Sequence, residues 1–117
     1  MNKLDRFYVY VSVTKKAEDI FLYDARKLAY RPFCEDNNKL VFGPTVCSPD
    51  ELEQKIFDVI SDWKRMRSDV FPINCESKLI VHHIYVSQKG IVLPWQTITK
   101  IADAGLTFMY QYTHLCL

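Results

Sequence analysis

Residues 48–66 read SPDELEQKIFDVISDWKRM, and no other stretch narrows the fold as much. Ser48 stands at an N-cap, Pro49 at the first helical position, and Glu51 three residues on is placed to reach back to Ser48; together they form a capping box. Leu52, Ile56, Val59, Ile60 and Trp63 then recur at helical spacing and make one apolar face. Asp50, Glu51 and Glu53 open the segment and Lys64, Arg65 and Arg67 close it, the order that a helix dipole favours. The pattern predicts an amphipathic helix from about Pro49 to about Met66, which must lie on an apolar surface built elsewhere in the chain.

Strands supply that surface. In Phe7–Val13 the residues Phe7, Val9, Val11 and Val13 share one face, while Tyr8, Tyr10 and Ser12 share the other. Lys78–Val86 is apolar on both faces, with Leu79, Val81, His83 and Tyr85 opposed to Ile80, His82, Ile84 and Val86, as in a central strand. A short strand covers Lys39–Phe42; Gly43-Pro44 breaks or bulges it, and Thr45–Cys47 continues it. Leu106–His114 alternates again, Phe108, Tyr110 and Tyr112 against Met109, Gln111 and Thr113.

Between these lie weaker signals. Lys16–Ala29 fits a helical stripe of Ala17, Ile20, Phe21 and Leu28 interrupted by Asp24, and a hairpin across Asp24–Lys27 is the alternative. Pro32 ends either one. Glu35–Asn38 is a polar turn, and Asp69–Asn74 a connection. Ile91–Leu93 is extended, Pro94 opens a short helix carrying Trp95, Ile98 and Ile101, and Gly105 stands at its C-cap. The expected fold class is α+β: one domain over residues 1–117, with a single, mainly antiparallel sheet of four to five strands and two to three helices packed on one face.

Charge and cysteine usage exclude several roles. Lys plus Arg number 15 and Asp plus Glu 14, a net charge of +1, whereas nucleic-acid binders carry a marked basic excess. Cys34, Cys47, Cys75 and Cys116 are spread beyond metal-knuckle spacing, each beside apolar neighbours that suit a small buried hydrophobe. Met1–Arg6 is polar and no apolar run approaches the ~18 residues of a membrane span. The expectation is a cytoplasmic protein with free thiols, no nucleic-acid partner and no membrane partner.

Catalytic signatures are sparse. His82 and His83 are adjacent on a strand, so they point to opposite faces, and no Asp or Glu lies in that strand to complete a set. Cys75 has Glu76 and Lys78 nearby but no local histidine to act as base. The three glycines, Gly43, Gly90 and Gly105, lie too far apart for a phosphate loop. We therefore expect no enzyme activity, cofactor or metal. Partner binding has better support. Asp58 and Asp62, four apart on the polar face of the long helix, repel mildly and hint at an electropositive partner, although a solvated face explains them too. Tyr8 and Tyr10 lie on a strand face that helices on the other side leave open.

The order of these elements resembles a known group. A strand at Phe7–Val13 precedes the Ser-Pro-Asp-Glu-Leu helix with Trp63 near its end. Strand Leu79–Val86, then Leu93-Pro-Trp, helix Ile98–Ala104, Gly105-Leu106 and a strand ending in Tyr112 follow. The chain resembles a family of small bacterial domains of unknown function that includes immunity proteins encoded beside polymorphic or contact-dependent-inhibition toxins. The resemblance implies an antitoxin that binds a cognate toxin domain, such as a nuclease, and blocks its active site, as a monomer or weak dimer. Glu35, Asp36, Asp58, Asp62, Tyr8 and Tyr10 are the candidate partner-binding residues. The alternative is a small-ligand or regulatory domain with a pocket near His83 and Tyr85; a third is an enzyme built on His82, His83 and Cys75. A closed pocket would favour the second, and a flat exposed patch the first.

Overall fold

A computed structural model describes residues 2–14, 32–35, 39–70 and 76–116. Strand β1 (Arg6–Thr14) is followed by β2 (Pro32–Glu35) and β3 (Lys39–Cys47). Helix α1 (Leu52–Val70), entered through a 3-10 turn at Pro49–Glu51, leads to β4 (Glu76–Tyr85), α2 (Trp95–Asp103) and β5 (Thr107–His114). The segment expected as helix or hairpin, the Asp36–Asn38 part of the turn, and Cys75 lie outside the described residues.

The strands form one sheet in the order β2-β3-β1-β4-β5, four long strands with the four-residue β2 at one edge. β1 pairs antiparallel with both β3 and β4, so α1 carries the chain from one neighbour of β1 to the other. β4 and β5 are parallel and joined through α2. The sheet is thus mixed, which corrects the expectation of a mainly antiparallel one. A helix separates β4 from β5, and a helical crossover returns the chain to the same end of the sheet.

Gly43-Pro44 does not end β3. The register moves from Val9↔Thr45 to Val11↔Phe42, so these two residues face Tyr10 as a bulge, a place where proline's missing N–H is tolerated. α1 runs beyond the expected Met66 to Val70, because the first proline after Leu52 is Pro72. Ile91–Leu93 belongs to no strand.

The core lies between the sheet and both described helices. Phe7, Val9 and Val11 of β1 and Leu79 and Val81 of β4 are fully buried against Leu52, Ile56, Ile60 and Trp63 of α1 and Ile101 of α2. These are the faces read from period-two and helical spacing. The Trp63 indole N–H donates to the Ala104 carbonyl at 3.3 Å, which ties α1 to the end of α2.

Both helix termini follow their local chemistry. The Glu51 carboxylate accepts from the Ser48 hydroxyl at 2.7 Å and from the Ser48 N–H at 3.2 Å. At the other end of the helical layer, Gly105 takes φ +74°. Its N–H donates to the Ala102 carbonyl and the Leu106 N–H to the Ile101 carbonyl, a Schellman motif sealed by the buried Ile101 and Leu106 side chains.

Two expectations follow. Trp63→Ala empties the centre of the core and lowers stability by about 3–5 kcal/mol, measured by urea unfolding, with Trp63→Phe costing less. The Ser48 hydrogen bonds hold the Glu51 carboxyl below its usual range. Their stabilising effect is therefore present above the ordinary carboxylate pKa and is lost as pH falls through the lowered folded value. Ser48→Ala accordingly destabilises at neutral pH, and its gap from wild type narrows on acidification; thermal melts across that range measure it.

Candidate functional site

Asp5 immediately precedes β1, and its side chain is almost wholly buried (1% exposed), as is that of His83 on β4 (0%). The His83 Nε2 lies 2.8 Å from Asp5 Oδ2, and its Nδ1 lies 2.8 Å from the Tyr110 hydroxyl on β5. Asp5 Oδ1 also accepts the Val86 N–H at 3.0 Å, and the Tyr110 oxygen accepts the Gly90 N–H at 2.8 Å. With the carboxylate accepting on both oxygens, His83 donates from Nε2 to Asp5, and as a neutral imidazole accepts the Tyr110 O–H at Nδ1. Phe7 closes the imidazole from one side, stacked at 4.3 Å and 16°. Each polar group in this buried chain has a partner, as burial demands.

The chain joins four pieces of backbone: the Asn2–Asp5 turn, the end of β4, the middle of β5 and the loop after β4. It fixes that loop at Val86 and again at Gly90, whose φ of +118° no ordinary side chain adopts without strain. Beyond Gly90 the loop is extended. Ile91 and Leu93 pack against the core, while Val92 between them is 94% exposed. Helix α2 starts directly afterwards and continues the exposed surface with Trp95 at 71% and Ile98 at 53%.

The short helix expected to carry Trp95, Ile98 and Ile101 is present, and of these three only Ile101 is buried. The inner face of α2 runs through Thr97, Ile101 and Ala104, spaced four and three apart, and Trp95 and Ile98 lie on the outside. Thr97 turns inward because its hydroxyl donates to Glu53 of α1 at 3.4 Å. An open cleft of about 300 Å³ lies beside this surface, with Asp50 and Glu53 on one wall and Val92, Leu93 and Pro94 on the other. A second open cleft, of about 730 Å³, is lined by Asn2 and Ser87–Val92 on the polar side of the loop.

Among the described residues, the partner-binding candidates expected from sequence lie on different parts of the fold. Tyr8 and Tyr10 lie on the sheet face away from α1 and α2. Tyr8 is exposed; Tyr10 is half-buried, donates to Gln111 at 3.4 Å, and has its phenol pushed up by burial. Asp58 accepts from the neutral Gln54 amide at 2.9 Å, and Asp62 pairs with Arg65, both within α1, so the charge of Asp62 is answered locally. Glu35 ends β2 at the far edge, and Asp36 lies outside the described residues. Of the histidines, His82 bonds Thr113 at 2.7 Å, and His114 stacks on Tyr85 at 5.0 Å. Cys47 is buried, and that burial, with Glu51 second, pushes its thiol up to about 11. Cys116 is exposed, contrary to the expectation for all four cysteines.

Asp5 went unread because the search for an acid beside His83 stopped at the strand itself. Carrying the odd-numbered alternation of Phe7 and Val9 back one step places Asp5 on the buried face. Among the described residues no three His, Cys, Asp or Glu side chains gather to hold a metal, and no helix is long and apolar enough to cross a membrane. Compared with protein-family models, curated proteins and solved structures, the chain matches none.

The buried chain makes a stability forecast. Asp5→Ala strips the acceptor from both His83 and Val86 and costs about 3 kcal/mol, while Tyr110→Phe costs about 1–2 kcal/mol. Chemical unfolding of the two single variants and the double variant is expected to show coupling rather than additivity.

Proposed function

We propose that this protein works by binding another protein through the surface formed by Val92, Trp95 and Ile98, and that it acts as an immunity protein for a toxin domain. The carrying observation is the exposure of these three apolar side chains, Val92 on a loop that the Asp5–His83–Tyr110 chain holds in place and Trp95 and Ile98 on the helix that follows it. Tryptophan is the residue most enriched among binding hot spots, and a pinned loop loses little freedom when a partner docks. Asp50 and Glu53 border the patch, so the complementary surface is basic. A nuclease toxin, whose cleft attracts phosphate, offers such a surface, and the resemblance to immunity proteins supports the same role. His83 has both ring nitrogens engaged and no exposure, which favours binding over chemistry at His82, His83 and Cys75. Both clefts described beside this loop are open, which at this surface favours a protein over a small ligand.

Co-expression with the neighbouring toxin reading frame tests this. A stoichiometric complex that relieves growth inhibition is expected, with affinity falling as salt rises. Trp95→Ala is expected to weaken it by about 30-fold, the size of a hot-spot loss of about 2 kcal/mol. If Tyr8→Ala or Asp58→Asn weakens the complex and Trp95→Ala does not, the partner occupies a different face. If no product of that frame binds, the immunity reading fails.

A further inference from the structure

The two edges of the sheet are built differently. β2 is four residues long, begins with Pro32 and ends with Glu35, so it combines three devices that keep an edge from pairing: brevity, a missing N–H and a charge. β5 has none of them. It runs for eight residues, Thr107–His114, without proline, Asp, Glu, Lys or Arg. Its pairing with β4 is unbroken from Lys78↔Thr107 to Tyr85↔His114, so no bulge twists the edge away. Neither face is buried along its length, and among the described residues no backbone hydrogen bond outside the β4 ladder reaches it. Leu115, the residue after it, donates back to the Tyr85 carbonyl at the end of β4, away from the open edge.

We propose that β5 is the dimer strand, pairing antiparallel with β5 of a second copy to make one sheet across both molecules. Backbone groups that point away from β4 belong to alternate residues, so two identical edges pair only between residues of the same parity. That condition places a two-fold axis normal to the sheet, through a residue at the middle of β5. It sets the axis at Tyr110 or Gln111 and keeps the helices of both copies on the same side. Phe108, Tyr110 and Tyr112 of one copy then meet the same aromatic row of the other, the pairs most favourable across strands. A self-paired strand opposes each charge with its like, and β5 carries no acid, lysine or arginine to oppose. Because the edge is self-complementary, a second copy satisfies it without a specialised partner. The dimer rests on the β5 edge alone and does not depend on the toxin-binding reading.

The test is a charge exchange at Gln111, which is exposed and lies on the face away from the helices. Wild type is expected to be dimeric by sedimentation at high micromolar concentration and to dissociate on dilution. Gln111→Lys and Gln111→Glu, each folded by circular dichroism, are expected to be monomeric alone, because like charges then face each other directly across an axis at Gln111, or diagonally at about 7–8 Å across an axis at Tyr110. Mixed in equal amounts they are expected to regain the dimer as a heterodimer. A wild type that stays monomeric, a Gln111→Lys variant that stays dimeric, or a mixture that stays monomeric each overturns the proposal. The second result would put the interface on another surface.

Discussion

The odd-numbered face of β1 is the surface on which the described molecule is assembled. Phe7, Val9, Val11 and Val13 lie between two antiparallel neighbours, and the same four residues form the middle of the layer that α1 covers. A strand bonded on both edges and buried on one face leaves no freedom of register, since a slip of one residue would turn Tyr8 and Tyr10 into the core and the valines out of it. The pairing Phe7↔His83 follows from that register. Once His83 lies beside Phe7, Asp5 two residues earlier falls within reach of its imidazole. The buried polar chain is thus a consequence of how β1 is seated, and the position of the loop at Val86–Gly90 is a consequence of the chain.

Much of this was legible because it is periodic. The α1 face, the two faces of β4 and the alternation in β5 each repeat over several residues, and the capping box and the Gly105 terminus are local chemistry that the surrounding fold does not override. What escaped was set by contacts between distant segments. The parallel placement of β5 against β4 depends on the whole crossover through α2. Which residues of α2 face inward depends on how it docks on α1, where Thr97 meets Glu53 and the Ala104 carbonyl meets Trp63. At Gly43-Pro44 the residues left a break and a bulge both open, and the ladder on either side, held by β1, settles it as a bulge.

The exposed apolar patch and the buried polar chain make a single arrangement. Hydrophobic residues left in solvent cost stability unless something covers them, and polar groups sealed in a core cost stability unless they are fully bonded. Here the second feature holds the first in position. The loop that bears Val92 is anchored at Val86 and Gly90 by hydrogen bonds to Asp5 and Tyr110, and Trp95 follows at the start of a helix tied to α1. A partner would meet a surface already in its final form, so selectivity would come from matching shape and charge rather than from reshaping the loop.

The central place of β1 also bears on how the molecule is made. β1 precedes all its partners along the chain, and its full pairing with β4 waits until that strand has left the ribosome, after α1. Until then one edge of an aromatic and valine-rich strand stays open, satisfied at best by β3 in a partial hairpin. Folding must therefore finish late, by closing long-range contacts that carry a large loop-closure entropy, and the nascent chain passes through a period when its stickiest segment is exposed. A protein so ordered depends, during synthesis, on whatever shields that segment until its last neighbour arrives.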